Sequence, residues 1–196
     1  MKTLCRISTV LFLVILLLPT PWVRAAGLSD DLLRIHANLL PKTVLMDYNF
    51  KQKLVGKTIL IDIVCRKSNR YYAQKLQLYI FEKYTNGIGD LPVDVQIIDY
   101  ADSQQLQKPA SLYYFLSAAP EQIQQALKYV PDNRLVFTYD PQSLQYGAHI
   151  GLHIGRHIKP VINVDALKAD NITLRPALVR ISHLYYQDKP SSGLVN

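Results

Sequence analysis

The feature of the sequence that most constrains the fold is an alternation of short apolar segments with segments of helical periodicity. Apolar residues recur at helical spacing in positions 30–45, 68–87 and 121–129. Apolar segments typical of buried strands occupy positions 58–64, 93–99, 111–116 and 135–140. This order predicts right-handed crossovers between parallel strands. We therefore expect a single α/β domain with a mainly parallel sheet, helices on both faces, and a C-terminal β-hairpin followed by a helix.

Local signals refine the ends of the first two helices. Ser29 is a good N-cap, and acidic residues at positions 30 and 31 suit the first turn of the helix that follows. Pro41 is expected to kink or end that helix, because proline has no N–H to donate within it. Ser68 is expected to cap the second helix.

The N-terminus has the pattern of a secretory signal peptide. Lys2 and Arg6 precede an apolar run at positions 10–18, and small residues lie near a cleavage point after Ala25. The run is about half of the ~20 residues that a membrane-spanning helix needs, although an uncleaved anchor is the alternative. We expect cleavage of residues 1–25, an exported α/β domain at 26–188 and a flexible tail at 189–196.

Charge and cysteine content exclude some classes of protein. Cleavage removes Lys2, Arg6 and Arg24, which lowers the formal net charge from +7 to +4 and does not imply a nucleic-acid partner. It leaves Cys65 as the only cysteine, so no intramolecular disulfide can form. Basic neighbours would lower the pKa of an exposed thiol. Isolated cysteines are more often buried, and we predict a buried, slowly reacting Cys65.

The segment at 147–163 carries histidines at positions 149, 153 and 157. A helix would align them for metal binding, but it would also contain glycines at 147, 151 and 155, each costing about 1 kcal/mol relative to alanine. The alternating apolar residues favour a strand, in which residues four apart are separated by roughly 13 Å. We predict a strand, a two-residue turn at Gly155-Arg156 that pairs Ile154 with His157, and no metal site.

The segment after the hairpin is predicted to be the last helix. Its apolar residues follow helical spacing and would share one face, at Leu174, Leu178, Ile181 and Tyr185. Pro160, in the returning strand, indicates an edge of the sheet.

A candidate binding site lies at the expected carboxyl edge of the sheet. In open α/β sheets, ligands bind outside the carboxyl ends of strands and near helix N-termini. The segment that follows the first strand there is basic and polar, and it consists of Arg66, Lys67, Ser68, Asn69 and Arg70. Ser103, Ser117 and Asp140 are expected beside it. Three positive side chains near free N–H groups suit a small anion; a solvated basic loop is the alternative.

The sequence gives no indication of catalysis. It contains no nucleophile elbow, zinc-protease motif, phosphate-binding loop or dinucleotide-binding glycine pattern. Four aspartates lie in or beside strands, at Asp62, Asp94, Asp99 and Asp140. We interpret them as solvated strand ends rather than as a catalytic pair. The expectation is a protein that is not an enzyme and that uses no cofactor.

The chain resembles the YfiR/HmsC-like family of bacterial periplasmic proteins. The resemblance is carried by "VFTYDPQSLQYGAHIGLHIGRHIKPVINVDALKADNITLRPALVRISHLY" and, more weakly, by "RIHANLLPKTVLMDYNF". Two features depart from the family. "LMDYNF" stands where members often carry an aromatic-Trp-Pro element, and the single Cys65 replaces the cysteine pairs of some members.

The resemblance implies a periplasmic regulator. Such a protein would restrain an inner-membrane diguanylate cyclase by binding its periplasmic domain, and so would control cyclic-di-GMP and biofilm formation. The alternative function is a periplasmic solute-binding component of a transporter or sensor, for which the anion site at positions 66–70 is the motivation. Association into a homodimer is left open by the sequence.

Overall fold

The computed structural model describes residues 28–187, so the expected signal peptide and C-terminal tail lie outside the described residues. Its helices are α1 (Asp30–Val44), α2 (Phe50–Lys53), α3 (Arg70–Lys83), α4 (Pro120–Leu127), α5 (Val164–Ala169) and α6 (Pro176–Ile181). Its strands are β1 (Ile59–Cys65), β2 (Val93–Asp99), β3 (Leu112–Phe115), β4 (Leu135–Thr138), β5 (Ile150–Ile154), β6 (Ile158–Asn163) and β7 (His183–Tyr185). Three 3-10 segments cover Lys67–Asn69, Tyr100–Gln107 and Pro141–Tyr146.

The seven strands form one sheet in the order β2-β1-β3-β4-β5-β6-β7. All neighbouring strands are parallel except β5 and β6, which form the antiparallel hairpin. Strand β1 therefore lies between β2 and β3, and the chain passes from one side of β1 to the other after β2. The predicted α/β fold with a mainly parallel sheet and a C-terminal hairpin is confirmed.

Both faces of the sheet are covered, which explains why its central strands are apolar throughout. Helices α1 and α3 pack side by side over one face, on residues such as Ile61, Ile63 and Tyr114. Helix α4 and the 3-10 segments Tyr100–Gln107 and Pro141–Tyr146 cover the other face, on residues such as Val64 and Phe115. All four residues of β3 and all four of β4 are buried, because side chains that alternate in direction reach one core or the other.

Two local expectations about helices differ from the structure. Helix α1 does not end at Pro41 but continues to Val44, because the buried apolar face of the helix carries Pro41 and Val44 into the core with Leu40. Ser68 does not cap α3. It lies within the preceding 3-10 segment, and α3 begins at Arg70 without a side-chain cap.

The predicted hairpin turn is one residue too short. Ile154 pairs with Ile158 rather than with His157, so the loop has three residues, at positions 155–157. His157 is exposed in this loop and takes no part in the ladder. Pairing Ile154 with Ile158 keeps both isoleucines on one face of the hairpin, which is why the longer loop fits the side-chain alternation.

The predicted last helix is also wrong. It is divided into α5, α6 and the strand β7. Asn171 follows α5 with a φ of 55°. Pro176 starts a new helix, because the first residue of a helix donates no hydrogen bond within the helix and proline has no N–H to donate. Leu174 lies between the helices, where it pairs with Asp47 in an isolated β-bridge. Within residues 28–187, no helix combines the length and apolar character that crossing a membrane requires.

Candidate functional site

The order of strands in the sheet reverses between the carboxyl ends of β1 and β3, and we call this topological switch point the crevice between β1 and β3. The chain leaves β1 toward β2 on one side and returns to β3 on the other, so the connections diverge at the carboxyl ends of β1 and β3. Ligands of open α/β sheets bind at such a reversal of strand order. The segment Arg66–Arg70 follows β1 at this point, and Ser117 follows β3.

The predicted anion-binding segment is mostly exposed, and Asn69 forms a hydrogen bond that joins it to the end of β3. Arg66, Lys67, Ser68 and Arg70 are exposed, and none of the basic side chains among them forms an ion pair within the described residues. Asn69 is half-buried, and its Nδ2 donates to the Ser117 carbonyl oxygen at 3.1 Å. Asn69 therefore holds the segment against the end of β3, while its neighbours remain open to a ligand.

The other residues expected at this edge have different surroundings. Ser103 is buried, and Ser117 contributes its carbonyl oxygen rather than its hydroxyl to the contact with Asn69. Asp140 uses Oδ1 to accept a hydrogen bond from the Gln142 N–H at 3.0 Å, which caps the 3-10 segment that follows. The contact between Asn69 and Ser117 thus joins the segment at 66–70 to the end of β3, while Ser103 is buried and Asp140 caps the 3-10 segment that follows it.

Cys65 lies beneath the basic segment at the end of β1 and is buried, as predicted. Burial raises the pKa of its thiol to about 11, and the nearby Asp99 carboxylate acts in the same direction, whereas Arg70 opposes them. The protonated thiol is the less nucleophilic form. The slow reaction of Cys65 with thiol reagents stays a prediction.

A buried histidine lies on the α1-covered face of the sheet, and our sequence reading did not single it out. The His36 ring packs among the rings of Tyr114, Phe137 and Tyr139, and its Nδ1 is 2.9 Å from the Tyr114 hydroxyl oxygen. Its Nε2 is buried and has no hydrogen-bond partner within residues 28–187. Burial lowers the pKa of His36 to about 3. The position of His36 beside Leu33 and Leu40 on one helical face was the available signal.

Asp62 corrects the interpretation of the strand aspartates. It lies in the middle of β1 with a relative exposure of 2%, and its Oδ1 has no hydrogen-bond partner among the residues that the structure describes. Burial raises the pKa of this carboxyl group to about 7. Asp94 and Asp140 instead accept hydrogen bonds from nearby backbone N–H groups. These aspartates have separate surroundings, because β1 presents Asp62 to the core.

The three clustered histidines diverge, as predicted from the strand assignment. His149 is buried, accepts a hydrogen bond from the Val136 N–H at Nδ1, and places Nε2 3.0 Å from Asp170 Oδ2. His153 contacts the His183 ring edge-on, with centroids 5.6 Å apart. His157 is in the hairpin loop. Among the residues that the structure describes, no three His, Cys, Asp or Glu side chains are grouped so as to hold a metal ion.

Comparisons with known proteins identify the fold but no family. No family model matches the chain, and no curated protein matches it. A conserved domain protein of Vibrio cholerae O1 biovar El Tor is similar in structure, with 15% identity over 78% of this chain and 59% of that one, at a TM-score of 0.50. The ABC domain from Streptococcus pneumoniae in complex with L-Trp has 8% identity over 74% of this chain and 60% of that one, at a TM-score of 0.49.

The chain therefore spans about three fifths of the length of these two structures. At 15% identity, the similarity to the Vibrio protein is a similarity of fold alone. The order of strands and the crevice at the end of β1 are the features on which a function must be argued.

Proposed function

We propose that this protein is a non-enzymatic, exported binding protein that takes up a small anionic solute at the carboxyl edge of its sheet. The observation that carries the proposal is the exposure of Arg66, Lys67 and Arg70 beside the crevice between β1 and β3. None of these cations is neutralised by an ion pair within the described residues. An anion bound here would also lie near the N-terminal N–H groups of α3, which favour negative charge.

The bound group is expected to be a carboxylate or a phosphate. Arginine presents several N–H donors in a planar array, and this geometry matches the oxygens of both groups. Asn69 is already bonded to Ser117 and would position the segment rather than bind the ligand. The role in solute uptake or sensing follows from this site together with the predicted export.

The proposal is tested by measuring the Tm of the protein in the presence of inorganic phosphate and of a panel of amino-acid carboxylates. A ligand at one hundred times its Kd should stabilise the protein by about 2.7 kcal/mol, which raises Tm by roughly 5–10 °C. Arg70→Ala should abolish the increase. Lys57→Ala removes an exposed lysine at the amino end of β1, away from the proposed site, and should leave the increase in Tm unchanged.

Two results would contradict this proposal. One is the absence of any stabilisation by the anions tested. The other is a stabilisation of equal size in wild type and Arg70→Ala, which would place the anion elsewhere on the molecule.

A second candidate function is the regulation of a membrane partner, as the resemblance to YfiR/HmsC-like proteins implies. It is favoured by the distribution of exposed large apolar side chains, seven of which lie in two places and two elsewhere in the described chain. One place is the outer face of α3, with Tyr71, Leu78 and Phe81. The other is the end of the sheet formed by β5, β6 and β7, with four aliphatic side chains.

Exposed apolar surface of this kind suits a protein partner more than a small solute. Gene deletion should then raise cyclic-di-GMP, and affinity purification from membranes should recover a diguanylate cyclase. Unchanged cyclic-di-GMP together with a failure to recover any cyclase would count against the regulator and leave the solute-binding proposal standing.

A further inference from the structure

The two outer edges of the sheet differ in their ability to accept another strand. At the β2 edge, the Val95 N–H donates to Asp94 Oδ1 at 2.8 Å, and the Val95 carbonyl oxygen accepts from Gln77 Nε2 at 2.8 Å. Side chains thus satisfy both backbone groups of Val95, in the middle of the edge strand, which an added strand would need. This is a known means of protecting an edge strand from pairing.

In the part of the chain that the structure describes, the β7 edge lacks such protection. Strand β7 pairs with β6 on one side, and no strand within residues 28–187 lies on its other side. His183 and Leu184 are exposed, and no side chain among the described residues donates to or accepts from the backbone of either one. An extended segment could therefore continue the ladder beyond β7.

An apolar patch lies beside this open edge. Ile154 pairs with Ile158, and Leu184 pairs with Ile162 two pleats further along β6, so these side chains share one face of the sheet. Ile181 ends the helix α6 just before β7. The exposed fractions are 55% for Ile154, 41% for Ile158, 61% for Ile181 and 45% for Leu184. The face is covered by helices near the middle of the sheet and is open here.

The charge around the patch indicates what kind of segment would cover it. Positions 153–187 contain five basic side chains and two acidic ones. Both acidic side chains contact other groups of the chain: Asp165 accepts a hydrogen bond from the Gln187 N–H, and Asp170 pairs with His149. Arg156, Lys159 and Arg180 are exposed near the hairpin and α6. A second copy of the chain would bring this positive charge against itself, whereas an acidic segment would be attracted.

We propose that the β7 edge binds an extended, acidic segment of a partner protein by strand addition. Backbone hydrogen bonds to β7 would fix the direction of the segment, and an apolar residue of the segment would pack on Leu184, at the border of the apolar patch. Acidic residues of the segment would face Arg180, in the helix that precedes β7. The proposal rests on the second candidate function only in requiring a protein partner, and it is independent of the anion site at the end of β1.

The test uses two short synthetic peptides, one alternating glutamate with valine and one alternating lysine with valine. Binding is measured by fluorescence anisotropy, and the site is located by amide hydrogen exchange of the full-length protein. The Glu-Val peptide is expected to bind saturably and to slow exchange in β7. The Lys-Val peptide has the same apolar content and should bind at least tenfold more weakly.

Matched variants separate this edge from the other apolar surface. Leu184→Glu should weaken binding of the Glu-Val peptide by about tenfold or more. Leu78→Glu changes a leucine of similar exposure, 53%, on α3 and should leave binding unchanged. Circular dichroism checks that both variants are folded.

Three outcomes would overturn the proposal: no binding of the Glu-Val peptide, equal binding of the two peptides, or loss of binding in Leu78→Glu but not in Leu184→Glu. A homodimer in analytical ultracentrifugation that Leu184→Glu dissociates would also overturn it, because a second copy would then occupy the edge. None of these results bears on the anion site, which Arg70→Ala tests separately.

Discussion

His36 and Asp62 are buried ionisable side chains that make the stability of the protein depend on pH in opposite directions. Burial lowers the pKa of His36 to about 3 and raises that of Asp62 to about 7, so in both cases the neutral form is favoured. As the pH falls from about 6.5 to about 3, His36 becomes protonated in the unfolded chain but not in the folded protein, so the free energy of unfolding decreases. As the pH rises from about 4 to about 7, the folded protein retains a proton at Asp62 that the unfolded chain releases, and stability again decreases.

Replacing Asp62 with asparagine should therefore stabilise the protein in a pH-dependent way. The advantage of Asp62→Asn over wild type should grow between about pH 4 and pH 7 and reach up to about 4 kcal/mol above pH 7, given about 1.4 kcal/mol for each unit of pKa difference. Urea unfolding of the two proteins at pH 4 and pH 8 measures the difference. Comparing variant with wild type removes the contribution of His36.

Asp132→Asn is the control, because Asp132 is an exposed aspartate in the turn before β4. Its effect on unfolding should be small at both pH values. If Asp62→Asn differs from wild type by the same amount at pH 4 and pH 8, Asp62 is ionised in the folded protein and the burial argument is wrong.

The sequence revealed some of these residues and concealed others for physical reasons. The burial of Cys65 follows from its place at the end of an apolar strand, and the divergence of the histidines follows from the two-residue period of a strand. Asp62 was misread, because a single acid in a strand is compatible with either a solvated edge or a core position. Only the tertiary fold, in which β1 is central, decides between them.

At the scale of elements, the strands of the parallel core were predictable and the C-terminal segment was not. Strands β3 and β4 are buried through their whole length, and β1 is apolar apart from Asp62, which is the pattern of strands covered on both faces of a sheet. The spacing of Leu174, Leu178 and Ile181 is helical, but Pro176 starts a separate short helix among them. Strand β7 forms because β6 provides a partner, and such pairing leaves little trace in the strand's own sequence.

The turn between α3 and β2 provides a prediction at this scale. Gly87 has a φ of +74°, and a Cβ atom there would lie 2.2 Å from the Leu91 carbonyl oxygen. That oxygen accepts the Ile88 N–H in the tight turn that leads to β2, so it cannot move freely. Gly87→Ala should lower the free energy of unfolding by at least about 2 kcal/mol more than a glycine replacement without this clash.

Gly89→Ala is the matched comparison, because Gly89 has a similar φ of +58° and a Cβ there would meet nothing within 4 Å. It should cost only about 1 kcal/mol, from backbone conformation. Urea denaturation of both variants measures the difference. Equal losses would mean that the turn relaxes to accommodate the added methyl group.

For the whole molecule, the sheet order explains how far the candidate site could be foreseen. The basic segment follows a buried strand, and the rule that ligands bind at carboxyl ends therefore located it from sequence alone. The roles of the neighbouring loop residues were not foreseen: Asp140 caps the 3-10 segment that follows it, and Ser103 is buried. Loop conformations of this kind depend on local hydrogen bonds, which the spacing of apolar residues in the sequence does not reveal.

The distribution of burial across the sheet predicts the order in which it opens. All residues of β3 and β4 are buried, whereas α6 has no buried residue and β7 has two exposed residues out of three. Amide hydrogens in β1, β3 and β4 should exchange only through global unfolding, and those of α6 and β7 through local opening. Native-state hydrogen exchange with increasing urea measures both. Equal protection of β7 and β3 would contradict this expectation.

The position of β1 between β2 and β3 also has a consequence for the rate of folding. Strands β5 and β6 are joined by the three-residue loop at 155–157 and can pair in about 1–10 μs, as hairpins do. Strand β1 can pair with β2 only after the crossover at 66–92, which contains α3, has closed, and with β3 only after a still longer segment has been placed. Closing such loops costs entropy before any non-local contact repays it, so contact order is high and folding is slow. We expect assembly around β1 to be the rate-limiting step, during which the apolar run Ile59–Cys65 stays open to aggregation or to a chaperone.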